Sequence, residues 1–117
     1  MENCLFCKII GGEIPSAKVY EDEMTYAFRD INPEAKVHVL VVSKKHVQSV
    51  SGAGELTDQE LAACLRTCAK VAELEGIAQT GYRVITNCGP DACQTVPHMH
   101  FHVLGGEKLP ESIWGEK

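Results

Sequence analysis

No stretch of this sequence is apolar for long enough to cross a bilayer. The longest greasy run, residues 37–42, is interrupted by His38 and falls far short of the roughly 20 residues that a spanning helix needs. The N-terminal segment also lacks the apolar core of a secretory signal, so a cytoplasmic or nuclear setting with no membrane partner is expected. Blocks of like charge are missing as well. Both signs are interspersed and the net charge is −5, which argues against a general nucleic-acid binder. There is no internal repeat, no low-complexity tract and no Pro/Gly/Ser-rich linker, and 117 residues suit one domain over the whole chain. Without a secretory signal, the six cysteines (Cys4, Cys7, Cys64, Cys68, Cys88 and Cys93) read as thiols or metal ligands before disulfides.

What the chain does have is concentrated in His98-Met99-His100-Phe101-His102-Val103-Leu104. Three of its five histidines sit here on every second residue, with apolar residues between them. Such alternation predicts a half-buried strand. Met99, Phe101 and Val103 would face the core, and the three imidazoles would lie on the other face, roughly 6.5–7 Å apart from Cα to Cα. A row of rings at that spacing can surround one anionic group, with one ring attacking while a neighbour donates a proton. The bland alternative is an exposed polar strand face that happens to use histidine. Against it, three such rings cost stability unless each finds a partner.

The other elements follow from period and punctuation. Residues 3–10 carry Leu5, Phe6, Ile9 and Ile10 at helical spacing and stop at Gly11-Gly12. Residues 18–21 and 24–29 read as two strands around an acidic turn, and residues 37–42 as a central β-branched strand. Residues 49–54 read as a short loop. Residues 56–75 form the strongest helix, with Thr57 and Glu60 as a capping box and Gly76 as the stop. Leu61, Cys64, Leu65, Cys68, Val71 and Ala72 make one apolar stripe, which places both cysteines in the core. Residues 82–86 predict a fourth strand, a loop follows through Cys93, and the histidine strand is the fifth. The expected fold class is α+β: a five-stranded antiparallel sheet with one long helix and one or more short ones, packed on one face.

The histidine segment resembles the motif of the histidine-triad family at all seven positions from His98 to Leu104. The resemblance extends over nearly all of the chain. It includes residues 4–14, Tyr20-Glu21-Asp22, Phe28-Arg29-Asp30-Ile31-Asn32-Pro33, residues 37–46, residues 82–87 and Gln94-Thr95-Val96. The last segments are similar to the Hint branch of nucleoside phosphoramidate hydrolases. Those are usually homodimers whose sheets join into one, with a C-terminal tail that shapes the partner's site. Residues 112–117 keep a tryptophan but lack the proline-rich ending of that tail, and Arg29, Cys93, Thr95 and Pro97 also depart from the branch's usual residues.

The resemblance implies a chemistry for this chain. His100, the middle ring, would attack an α-phosphorus as the neutral base, its other nitrogen protonated and anchored on a backbone carbonyl. The expected substrate is a purine nucleoside 5′-phosphoramidate of the AMP-amine type. His102 would contact the phosphate and help protonate the leaving amine, and His38 would orient His98 or His100. Asn87 and Thr95 would bond phosphate or leaving-group atoms, with backbone N–H groups of Gln94, Thr95 and Val96 adding a cradle. Asp30 would accept from the ribose hydroxyls, although such a residue is also an ordinary turn-former. Ile31, Phe6 and Ile10 would wall the base pocket, with core packing as the competing reading. Mg²⁺ would not be required, because protonated rings and N–H donors would meet the phosphate. Cys4, Cys7, His46 and His98 would hold a structural zinc, the alternative being packed thiols with His98 in a hydrogen-bond relay. Three other functions stay open: a dinucleoside polyphosphate hydrolase, a non-catalytic nucleotide-binding regulator or scaffold, and a zinc-dependent interaction module.

Overall fold

The computed structural model describes residues 3–113. Of the tail that the resemblance assigns to a partner's site, residues 114–117 lie outside the described residues. The chain opens with a short helix, α1 (Leu5–Ile10), whose N-cap is Cys4; the Cys4 thiol accepts from the Cys7 N–H. The helix ends at Gly11-Gly12, where Gly12 takes φ +83°, a conformation open to glycine at little cost. Three strands follow: β1 (Lys18–Glu21), β2 (Thr25–Arg29) and β3 (Val37–Ser43). A 3₁₀ turn over Val50–Glu55 replaces the expected loop and leads into α2 (Asp58–Leu74). Strands β4 (Tyr82–Ile85) and β5 (His100–Gly105) complete one antiparallel sheet of order β1-β2-β3-β5-β4.

The β-branched run becomes the middle strand because both its faces are apolar and both are covered. On one face Val39 and Val41 meet Ala27, Met99, Phe101 and Val103 beneath α2. On the other, Leu40 and Val42 join Tyr26, Phe28 and the α1 residues Phe6 and Ile9. The helices therefore flank the sheet rather than share one face as the sequence suggested. A pattern count treats histidine as polar and so leaves that face to solvent. Here α1 closes over it.

The capping box of α2 is present: the Thr57 hydroxyl accepts from the Glu60 N–H and the Glu60 carboxylate from the Thr57 N–H. The buried stripe is rotated slightly from the expected one. Cys64, Thr67, Cys68, Val71 and Ala72 are buried, while Leu65 is 55% exposed. Thr67 is held inward by a 2.8 Å hydroxyl contact with buried Thr25 on β2. Among the described residues, no helix is long and apolar enough to cross a membrane.

Candidate active site

Antiparallel pairing places Val42 opposite His100, Leu40 opposite His102 and His38 opposite Leu104. Side chains of paired residues share a face, so His38, His100 and His102 lie together on the α1 side of the sheet. His98 stands just before β5, anchored by the bond from the Met99 N–H to the Val47 carbonyl. The alternation is thus kept, but the rings are not an exposed face: His98 is 0% and His100 only 4% exposed.

Each ring has a neighbour that settles where its proton sits. His100 Nδ1 is 2.6 Å from the carbonyl oxygen of His98. A carbonyl can only accept, so Nδ1 carries the hydrogen and Nε2 keeps its lone pair. The anchoring carbonyl expected from the sequence is therefore two residues back along the same chain. Burial pushes the His100 pKa down, the His98 carbonyl bond opposing it, so the ring is a neutral base at pH 7. The edge of Phe6 closes over it, ring centroids 5.0 Å apart and perpendicular.

His102 sits at the end of a relay. The Glu34 backbone N–H donates to His38 Nδ1 at 3.0 Å, so neutral His38 carries its hydrogen on Nε2. That N–H faces His102 Nδ1 at 2.9 Å, which leaves the His102 hydrogen on Nε2. His38 therefore orients His102, not His98 or His100 as the sequence reading had it. The register explains this, because antiparallel pairing brings the ring of His38 diagonally toward His102 across the strand pair. Burial, then the neighbouring His100 and His38, push the His102 pKa down to about 4. In the protein alone the rings are thus neutral, rather than the protonated rings expected to face phosphate.

A second constellation lies at the other side of His98. Donor atoms of Cys4, Cys7, His46 and His98 all fall within 4.8 Å of one another. Cys4 Sγ is 3.3 Å and His46 Nδ1 3.1 Å from His98 Nδ1, and Cys7 Sγ is 3.4 Å from His46 Nδ1. The test of fit is the tautomer. His98 Nε2 donates to the Ser43 carbonyl at 2.7 Å, so Nδ1 offers its lone pair to the cluster. A ligating histidine held from behind by a backbone carbonyl is the usual support of a metal site. Two thiols and two imidazoles are also a zinc donor set. Asp30, His38 and His102 also bring donor atoms within 4.8 Å. There, however, His38 Nδ1 accepts the Glu34 N–H, so the nitrogen facing the group bears a proton. That set suits a proton and not a metal.

The remaining predicted residues fall into place unequally. Asp30 Oδ1 accepts the Asn32 N–H at 2.8 Å, the turn role, while Oδ2 faces His38 Nε2 at 3.5 Å. Ile31 beside it is 91% exposed. Phe6 is buried and packs edge-on to Phe28 as well as His100, and Ile10 is half-buried against the same cluster. Asn87 follows Thr86, whose hydroxyl donates to the His100 carbonyl at 2.7 Å. Gln94 is spent within its own loop: its amide takes the Gly89 N–H and donates to the Gln48 and Val96 carbonyls, and its backbone N–H goes to the Gly89 carbonyl. Any N–H cradle is left to exposed Thr95 and half-buried Val96.

Sequence reasoning missed the groups that set the protons, Glu34 N–H and Ser43 O, because main-chain atoms leave no mark on residue identity. It also missed that Cys88 lies 3.2 Å from Ser49 Oγ and 3.0 Å from Ser51 Oγ, contacts that hold its thiol below the ordinary range. Two surface cavities of about 440 and 720 Å³, one beside α2 and one beside β4, touch none of the five histidines.

A five-stranded α+β sheet that turns one chain's alternating histidines inward, each with a fixed tautomer, defines a histidine-triad protein. The HIT domain family model matches residues 11–109, and the chain belongs to that family. The purine nucleoside phosphoramidase of Escherichia coli K12 is 43% identical over 108 residues, 92% of this chain and 91% of that protein. A 14 kDa zinc-binding protein of Zea mays is 45% identical over 107 residues, 90% of this chain and 83% of that one. Among solved structures, a HIT family hydrolase from Clostridium thermocellum is similar with a TM-score of 0.92 at 50% identity, covering 97% of this chain and 98% of that one.

Proposed function

We propose that this protein is a nucleotide hydrolase that cleaves the P–N bond of purine nucleoside 5′-phosphoramidates through a nucleotidyl-His100 intermediate. The observation that carries the reading is the 2.6 Å bond from His100 Nδ1–H to the His98 carbonyl, which aims an unprotonated Nε2 out of the ring's far side. The similarity to a phosphoramidase and to a HIT family hydrolase supports the substrate class.

The chemistry follows from the proton positions. The α-phosphate and the departing nitrogen accept the His102 Nε2–H, which the His38 N–H on Nδ1 keeps pointing outward. His100 Nε2 attacks phosphorus, the P–N bond breaks, and the amine leaves with a proton supplied by solvent, its nitrogen held by the His102 Nε2–H. Positive charge then resides on the His100 ring, where its Nδ1–H bond to the carbonyl strengthens. Water attacks phosphorus next, gives its proton to solvent, and the P–Nε2 bond breaks to release the nucleotide. Splitting one displacement into two is the gain of covalent catalysis. His38 holds His102 in register throughout. Asp30 and Ile31 hold the nucleoside, with Phe6 and Ile10 behind them. Asn87, Thr95 and the Val96 N–H meet the phosphate, and Gln94 holds the loop that presents them. No Mg²⁺ is needed.

Cys4, Cys7, His46 and His98 would hold zinc, which when bound supplies a cross-link between α1, the segment after β3 and the histidine strand. The protein works as a homodimer in the cytoplasm. The test is AMP release from an adenosine phosphoramidate with an amine leaving group, wild type beside His100→Ala. Turnover in the wild type and background in the variant is the expected result. AMP binding without turnover in the wild type would overturn the P–N assignment.

A further inference from the structure

We propose that the Cys4–Cys7–His46–His98 cluster, loaded with zinc, is a positioning device for the nucleophile; this rests on the reading of His100 given above. Among the described residues the His100 ring has the His102 ring beside it on the same strand, centroids 5.1 Å apart, and two further contacts that reach the cluster. One is the His98 carbonyl on Nδ1 at 2.6 Å, and the other is the perpendicular Phe6 ring at 5.0 Å. Both come from segments that the cluster ties together. His98 contributes its ring to the cluster and its own carbonyl to His100. Phe6 lies between Cys4 and Cys7, on the first turn of α1, and also packs against the His98 ring at 6.0 Å. The clamp on the nucleophile is thus built from the two segments that carry three of the four metal-donor residues.

The α1 half of this clamp rests on apolar packing alone among the described contacts with the sheet. The helix has only six residues, too few to be stable by itself, and Cys4, Phe6 and Ile9, with Cys7 and Ile10 in part, seat it on Tyr26, Phe28, Leu40 and Val42. His98 is better held, by Ser43 behind its ring and by its own N–H to the Val96 carbonyl. A ligand joining both thiols to His98 and His46 fixes the distance between the halves. Without it, α1 can shift and the His100 ring gains room to turn about Cβ–Cγ. Cys4, Cys7 and His46 then act as positioning residues that touch no substrate.

The experiment compares the full-length protein in three states: zinc-loaded, stripped by a chelator under reducing conditions, and the His46→Ala variant. Metal content is measured by elemental analysis. Long-range ¹H–¹⁵N correlation spectra read the tautomer and exchange of each histidine ring, and backbone amide spectra report whether the sheet is intact. The expected result is one sharp Nδ1–H form for His100 in the loaded protein. It becomes exchange-broadened or mixed in the other two states, with sheet amides unchanged. With the phosphoramidate substrate, kcat falls about 10²-fold, the penalty of a misplaced reacting group, while KM stays within about twofold. Unchanged His100 ring signals after proven metal loss would overturn the proposal, as would a protein that takes up no zinc. Global unfolding on stripping would also overturn it, since the metal would then be a general staple. If the ring responds to metal but no substrate turns over, the positioning stands and the phosphoramidase reading falls.

Discussion

At the scale of single residues, the site is a set of proton assignments. Two nearly identical side chains two positions apart are given opposite tautomers. His100 bears hydrogen on Nδ1 because a carbonyl lies there, and His102 bears it on Nε2 because His38 donates to its other nitrogen. His38→Phe removes that donor and frees His102 to switch. We expect kcat to fall about 10²-fold, the lower end of what a positioned hydrogen-bond donor supplies, with nucleotide binding retained; equal kcat values for variant and wild type would show that the relay is idle. Stability carries the same signature. The folded pKa of His102 is about 4 against an ordinary 6.5. Above pH 6.5 neither state holds the proton. Between 6.5 and about 4 the unfolded chain binds it and the folded one does not, so stability drops as pH falls through that window. Calorimetric Tm values from pH 7 to 4.5 should fall more steeply for wild type than for His102→Gln. The triad spacing was legible in the sequence because residue identity carries it. The tautomers were not, since Glu34 N, Ser43 O and His98 O are main-chain atoms.

At the scale of elements, helix ends read more plainly than helix faces. Thr57, Glu60 and Gly76 marked the limits of α2, and the structure uses all three. Thr57→Ala should cost about 1 kcal/mol, seen as a lower urea midpoint at unchanged slope. A shift within error would mean that the capping box contributes nothing to the folded protein. The helix face was less legible. The expected stripe and the buried one share Cys64, Cys68, Val71 and Ala72 and differ in Leu61 and Leu65 against Thr67. The choice fell to a polar side chain, because Thr67 meets the Thr25 hydroxyl, which in turn donates to Asp22. No hydrophobic count would select a threonine over Leu65. The same blindness to polar groups that find partners left the histidine strand half-exposed on paper. In the structure α1 covers it, an element whose six residues carry a weak signal of their own.

At the scale of the whole molecule, the sheet ends at β4, where Tyr82 and Val84 are each 38% exposed beside an unpaired strand edge. Such an edge invites a further strand. Light scattering at micromolar concentration is expected to give twice the 12.8 kDa of one chain; a mass of one chain would remove the dimer. The antiparallel sense of the sheet followed from the short connections of its first strands, and the order that sets β5 between β3 and β4 did not. A strand added at that edge would come from another copy of the chain, so one sequence implies it only by resemblance. The core beneath α2 has a consequence of a different kind. Cys64 and Cys68 are 0% and 2% exposed, and burial lifts their pKa values to about 11 and about 12, while Cys93 lies open on its loop. An alkylating reagent meets Cys93 first. Cys93 is modified at once, and the other two only in molecules whose long helix has lifted. Mass spectrometry of the added tags against time therefore turns two inert thiols into a clock for opening, one that runs whether or not the histidines do any chemistry.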